Sequence, residues 1–213
     1  KGDITIITSI AKDHTHYLGE KLEKIAFEKA SIIKNGGTVF ATKGSKKVNE
    51  VIKKISDQKS ATLQFLGEDF YVEKATKKTP SMFIDYRNKK TCLNNLELSL
   101  LGGFQARNAA LALSACLHHA HKNGKDINEQ SIRKALRETS WSGRMEVISL
   151  RPTIILDTAH NPAAVKELAK SVQELFSYAR VILILGVMND KQADEIFKKL
   201  ANFADHFILV RPK

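Results

Sequence analysis

Between Thr153 and Val210 the chain alternates short apolar runs with helical ones, and this alternation restricts the fold more than any other feature of the sequence. Thr153–Leu156 reads as a strand and Pro162–Phe176 as a helix. Val181–Leu185 reads as a strand, Lys191–Leu200 as a helix and His206–Val210 as a strand. Helices between successive strands supply crossover connections, so the expected arrangement is a parallel sheet in an α/β fold. Val181–Leu185 is apolar without interruption, the pattern of a strand buried on both faces. Glu146–Leu150 reads as a further strand just upstream.

The first part of the chain has a mixed texture. Asp3–Ile10 reads as a strand, and Glu20–Lys34 as an amphipathic helix with Leu22, Ile25, Ala26 and Ile33 at helical spacing. Gly36-Gly37 is expected to end that helix. Thr38–Ala41 is an expected strand, and Lys47–Gln58 a helix with Val48, Val51, Ile52 and Ile55 on one face. From Ala61 to Leu101, β-like runs at Thr62–Leu66, Tyr71–Ala75, Met82–Tyr86 and Leu93–Leu101 alternate with turn signals such as Lys-Lys-Thr-Pro and Arg-Asn-Lys-Lys. These runs predict a small antiparallel insert. A long helix from Phe104 to Lys122, stopped by Asn123-Gly124, and another over Asn128–Glu138 follow. The change of pattern near Trp141–Arg144 sets an expected boundary, with one domain over 1–144 and a second over 145–213.

Composition narrows the function classes. The formal net charge is +11 over 213 residues, but the lysines are spread along the chain. Only Lys74–Lys78 and Lys89-Lys90 are dense, and both fall in predicted turns, so a solvated basic surface is expected and a nucleic-acid partner is not. The charge suits an anionic substrate. No apolar run reaches the length of a membrane span, and the opening residues lack the pattern of a signal peptide. Cys92 and Cys116 form no C-x-x-C pair, and Cys116 is expected to be a small core residue. These features predict a cytoplasmic protein without disulfides.

Four clusters carry candidate chemistry. Asp13-His14-Thr15 follows the opening strand, where ligands gather in open α/β sheets and where a histidine can meet a metal or phosphate. Lys29 falls close to the apolar stripe of its helix, and a partly buried lysine is costly unless paired or modified. Gly102-Gly103 lets the backbone pass near a ligand, with Gln105 and Asn108 offering amides from the start of a helix. The fourth cluster is Asp157-Thr158-Ala159-His160-Asn161-Pro162, between a strand end and a helix start. Asn161 suits the N-cap and Pro162 the first helical position. Arg144, just upstream, has the fork geometry for a phosphate. His118, His119 and His121 lack the spacing and the carboxylate of a metal site.

These segments in this order resemble the folylpolyglutamate synthase/dihydrofolate synthase family, a branch of the Mur ligase superfamily. The resemblance rests on Ile7 through Thr15, Leu18-Gly19, Ile25-Ala-Phe-Glu-Lys-Ala-Ser-Ile-Ile-Lys34 and Phe104-Gln105 with Asn108 through Leu113. It continues through Trp141-Ser-Gly-Arg-Met-Glu-Val147, Ile155-Leu-Asp-Thr-Ala-His-Asn-Pro162 and Leu185 through Lys191. Each segment is weak alone; the ordered set spans nearly the whole chain. The fold implied is part of a P-loop-type ATPase central domain, carrying the small antiparallel insert, plus part of a Rossmann-like C-terminal domain.

The activity implied is an ATP-dependent amide ligase. A folate or dihydropteroate carboxylate attacks the γ-phosphate of ATP, and the amine of L-glutamate then displaces phosphate from the acyl phosphate. By resemblance His14 is a Mg2+ ligand, and Lys29 matches a lysine carbamylated in this superfamily. His14, Lys29 and His160 would then stand at the reacting centre. Asn108, Arg144, Asp157 and His160 match nucleotide-contacting positions, with Arg144 on phosphate and Asp157 on ribose. The family suggests a monomer with ATP and Mg2+ as its requirements. Ser31 and Thr158 stand where the family usually has glycine. No G-x-x-x-x-G-K-[ST] run occurs in the chain. That loop and the family's magnesium glutamate would precede Lys1, so the expectation is an internal fragment without ligase activity of its own. Two rivals stay open here: a muramyl-peptide ligase, which shares fold and reaction type, and a non-catalytic nucleotide- or nucleic-acid-binding fragment.

Overall fold

The computed structural model describes residues 3–11, 21–78, 81–187 and 193–211, and the backbone alone at 74–78. Its organising element is β2 (Thr38–Thr42), whose side chains alternate between two apolar clusters. Val39 and Ala41 join Ile7, Phe65, Val48 and Ile52 on one face, whereas Phe40 joins Phe70, Ile84, Tyr86, Leu96 and Leu111 on the other. The first face is covered by α1 (Leu22–Ala30) and α2 (Lys46–Gln58), and the second by α3 (Gly103–Lys122). A helix–sheet–helix sandwich results. α2 begins where Ser45 Oγ accepts the Val48 N–H at 3.4 Å.

β1 (Ile4–Ile7) and β3 (Thr62–Leu66) flank β2 in parallel register. β4 (Phe70–Lys78) joins β3 at Leu66 and Phe70, and β5 (Ser81–Asn88) and β6 (Cys92–Leu98) then extend the same sheet in antiparallel fashion. The strand order is β1-β2-β3-β4-β5-β6 in a single six-stranded sheet. The expected antiparallel insert is therefore no separate unit, and Thr62–Leu66 belongs to the parallel part. α2 provides the crossover that returns β3 alongside β2. Lys74–Lys78, expected in a turn, lies in β4. The Leu96 and Leu98 alternation is a half-buried strand as expected, but the strand ends at Leu98.

Two local expectations fail for identifiable reasons. α1 stops at Ala30, before Gly36-Gly37, with Ser31 Oγ donating to Phe27 O at 2.8 Å and Ile33 tucked under the following turn. Cys116 is exposed, because α3 buries Ala106, Ala110, Leu111, Leu113 and Ala115 and turns Cys116 outward. α4 (Glu129–Glu138) starts at Asn128, whose side chain accepts the Ser131 N–H at 2.7 Å, and it buries Ile132.

The C-terminal part differs from the expected single parallel sheet. β7 (Glu146–Leu150) and β8 (Thr153–Leu156) form an antiparallel pair across the short turn at Arg151-Pro152. Such a local partner costs less loop entropy than a crossover. β9 (Ile182–Leu185) and β10 (His206–Leu209) form a second, parallel pair, separate among the described residues. α5 (Pro162–Leu175) and α6 (Ala193–Leu200) meet through Val165, Ala169, Ile196 and Leu200 and cover Leu183 and Leu185. The opposite face is bare: Ile182 is 56% and Ile184 65% exposed, and their register partners on that face include Ile208, which is also exposed. Among the described residues the Val181–Leu185 run is thus covered on one face only, where Leu183 and Leu185 are half-buried. No helix among the described residues is long and apolar enough to cross a membrane.

One core runs through both parts. Met145 and Leu175 are buried in the same cluster as Phe40 and Leu111, with Val147, Ile155, Leu168, Val172 and Phe176 packed against it. An ion pair of 2.9 Å between Arg107 on α3 and Glu167 on α5 crosses the same seam.

His118 gives this core a pH dependence. Its Nε2 lies 3.1 Å from Thr38 Oγ1, and its ring meets Phe40 edge-on at 5.8 Å. Burial holds its pKa below the ordinary 6.5; Lys122, His121 and His119 act in the same direction and Asp3 opposes them. The unfolded chain therefore binds the proton first as pH falls below 6.5. The His118 contribution is complete above that value and is lost as pH drops toward the folded pKa. The urea midpoint should fall between pH 7 and pH 5.5, and His118→Gln should flatten that slope; an unchanged slope in the variant would assign the dependence to other groups.

Candidate functional site

The site is built around a strained turn. Gly143 has φ +69 and Met145 φ +47, so two left-handed residues flank Arg144. Glycine adopts this region freely, but for Met145 it costs about 1–2 kcal/mol. The surroundings compensate. Met145 is buried, its Sδ against the backbone of Gly102. Gly143 N–H donates to Glu146 Oε2 at 2.8 Å, and Gly143 O accepts from Thr158 N–H at 2.9 Å. Arg144 itself stands exposed between the two left-handed residues.

The second element is the link from β8 to α5. Asp157 Oδ2 accepts the Met145 N–H at 2.9 Å and its Oδ1 accepts the Ala159 N–H at 2.7 Å. The carboxylate thereby ties the 143–146 turn to its own. His160 Nδ1 lies 2.9 Å from Thr158 O, which calls for a proton on Nδ1 and leaves Nε2 as the nitrogen that accepts. Asn161 Oδ1 accepts the Ala164 N–H at 2.9 Å, the expected N-cap, with Pro162 in the first turn.

The third element is the start of α3. Gly102 sits at φ +105 and is buried, and a Cβ there would lie 2.6 Å from Phe104 Cε1 and 3.1 Å from Met145 Sδ. Gln105, expected to offer its amide outward, is 7% exposed and its Oε1 accepts from Asn108 Nδ2 at 3.0 Å. Asn108 is exposed, about one and a half turns along α3 from Gly102.

The structure thus brings together the Gly102 turn, the Arg144 turn and the 157–160 turn, three of the elements singled out in the sequence. A cavity of about 320 Å³ opens beside them, lined by Ser99, Leu101, Thr139, Trp141, Arg144 and Met145 among others. The exposed Arg144 guanidinium at the edge of this cavity suits an anionic ligand. The sequence reading missed Glu146, which fixes Gly143, and Glu167, which pairs with Arg107. The glutamate in Gly-Arg-Met-Glu, three residues after a glycine, was the available signal for the first. A pair sixty residues apart left none for the second.

Two expected residues remain, His14 and Lys29. His14 is outside the described residues. Lys29 is exposed rather than partly buried, because the apolar stripe of α1 continues through Ala30 and the helix stops there, leaving no further turn to cover the lysine. The burial argument for its modification therefore falls away. Among the described residues no three His, Cys, Asp or Glu side chains gather to hold a metal ion.

The chain matches the model of the Mur ligase middle domain over residues 1–116 and that of the Mur ligase glutamate ligase domain over 143–213. It is 29% identical over 201 residues to a dihydrofolate synthase/folylpolyglutamate synthase of Bacillus subtilis, covering 94% of this chain and 47% of the relative. It superposes on a folylpolyglutamate synthase complexed with AMPPCP and folate with a TM-score of 0.91 at 27% identity, covering 99% of this chain and 51% of that one. The Mycobacterium tuberculosis folylpolyglutamate synthase complexed with ADP gives 0.90 at 27% identity, covering 97% and 46%. The chain spans about half the length of the relatives it matches. With more than half of its length matched by the middle-domain model, the chain belongs to the Mur ligase family.

Proposed function

We propose that this chain carries the nucleotide-facing seam of an ATP-dependent ligase that joins L-glutamate to folate, or to dihydropteroate. The observation that carries the reading is the direct contact between the turn that bears Arg144 and the turn that follows β8, through Met145 N–H to Asp157 and Thr158 N–H to Gly143 O. The names of the solved relatives, with AMPPCP, folate and ADP, support it. In the reaction a folate carboxylate attacks the γ-phosphate of ATP, ADP departs, and the glutamate amine displaces phosphate from the acyl phosphate. Arg144 would neutralise phosphate charge, Asn108 would meet the nucleotide with its amide, and Asp157 would face the ribose. His160 enters through the resemblance, at the nucleotide. His14 and Lys29 enter through the resemblance alone, as the residues toward Mg2+. The division at 144/145, a monomer and a cytoplasmic setting belong to the same reading.

The test is ADP release by the product of the complete reading frame with ATP, Mg2+ and glutamate, comparing dihydropteroate and tetrahydrofolate as acceptors. Release that needs both glutamate and a pterin is the expected result; release that needs neither pterin would end the folate reading. The 213-residue chain alone should release no ADP in this assay, because its sequence holds no phosphate loop.

A further inference from the structure

We propose that Asp157 and Thr158 are positioning residues that act through Arg144, by holding its turn in a left-handed conformation that the turn would not keep unaided. The proposal rests on the nucleotide reading given above for what Arg144 binds, and on geometry alone for how Arg144 is held.

Both carboxylate oxygens of Asp157 accept main-chain N–H groups, one from each side of the seam: Met145 at 2.9 Å and Ala159 at 2.7 Å. Such bonds to a charged acceptor are the stronger kind. Each oxygen keeps a second lone pair, so a ligand hydroxyl can still approach, but the carboxylate has no freedom to reorient toward it. Thr158 adds a second clamp. Its N–H donates to Gly143 O at 2.9 Å, and its methyl stands where a Cβ on residue 143 would lie 2.8 Å away. Residue 143 is therefore restricted to glycine twice over, by its own φ of +69 and by the Thr158 methyl.

Between these two clamped residues, Arg144 is exposed and lines the cavity. A backbone held in a sparsely populated region by this many contacts is a means of aiming one group.

The experiment uses the 213-residue chain and ADP as probe, with Arg144→Ala, Asp157→Asn and the double variant. In the absence of nucleotide, the Met145 amide should exchange at least about tenfold faster in Asp157→Asn and at the parental rate in Arg144→Ala, since Arg144 takes no part in the latch. Emission from Trp141, the sole tryptophan and two residues before Gly143, should shift only in the first. With ADP, each single variant should bind about tenfold more weakly, and the double variant should lose clearly less than the product of the two, since the part of the Asp157 loss that runs through Arg144 is already gone. Losses that multiply in the double variant, or a Met145 amide indifferent to Asp157, would overturn the proposal.

Parental ADP affinity in Arg144→Ala would instead end the nucleotide reading, and the Met145 exchange would still decide whether Asp157 holds the turn. Should Asp157→Asn not fold, Thr158→Gly takes its place. Faster Met145 exchange and weaker ADP binding, by a factor that shrinks in the Arg144→Ala background, support the clamp. No change in either refutes it.

Discussion

Truncating Tyr86 to alanine will cost the fold about 3–5 kcal/mol, the range for emptying a buried aromatic site. Tyr86 is fully buried in the cluster between the sheet and α3. Its hydroxyl is 2.8 Å from Ser114 Oγ and accepts from Asn88 Nδ2 at 3.0 Å, and burial pushes its phenol pKa up. Small domains have about 5–15 kcal/mol in total, so the variant should be largely unfolded on modest heating. Tyr86→Phe separates the two contributions: it keeps the ring and strands the Ser114 hydroxyl, for about 1–3 kcal/mol. Urea midpoints by circular dichroism measure both. Equal midpoints for the two variants would mean that the ring volume counts for little.

Gly102→Ala should reach further than its size suggests. Holding alanine at φ +105 costs about 1–3 kcal/mol, and its Cβ would stand 2.6 Å from Phe104 Cε1 and 3.1 Å from Met145 Sδ. Displacing Met145 loosens the turn that carries Arg144, so ADP binding should weaken along with the urea midpoint. Gly103→Ala is the control. A Cβ there meets nothing within 4 Å, in the first turn of a helix, so it should be neutral or slightly stabilising. Equal effects at 102 and 103 would remove the special role given to Gly102.

The sequence was most legible where local chemistry decides the outcome. Thr62–Leu66, Glu146–Leu150 and Thr153–Leu156 are strands with the expected limits, and Asn128 and Asn161 cap their helices as their side chains dictate. It was less legible where the partner decides. Nothing in Thr62–Leu66 says that it pairs along its length in parallel with β2. An uninterrupted apolar run such as Val181–Leu185 has the same letters whether one face is covered or two. In the site, the residue types and their places at strand ends were readable, as Arg144, Asp157 and His160 show. The left-handed Met145 was not, because its cost is repaid by Asp157 and Gly102, residues distant in sequence. Lys29 misled because one residue on a helix separates a covered position from an open one.

The uncovered side of the β9–β10 pair makes the chain a balance between two forces of different range. Ile182, Ile184 and Ile208 invite contact at touching distance, whereas the +11 charge repels another copy from farther out. Dilute buffer lets that repulsion act across about 30 Å at 0.01 M ionic strength, while 1 M salt shrinks it to about 3 Å. Ionic strength should then set how closely two copies of this chain approach, which light scattering at these two salt concentrations would read.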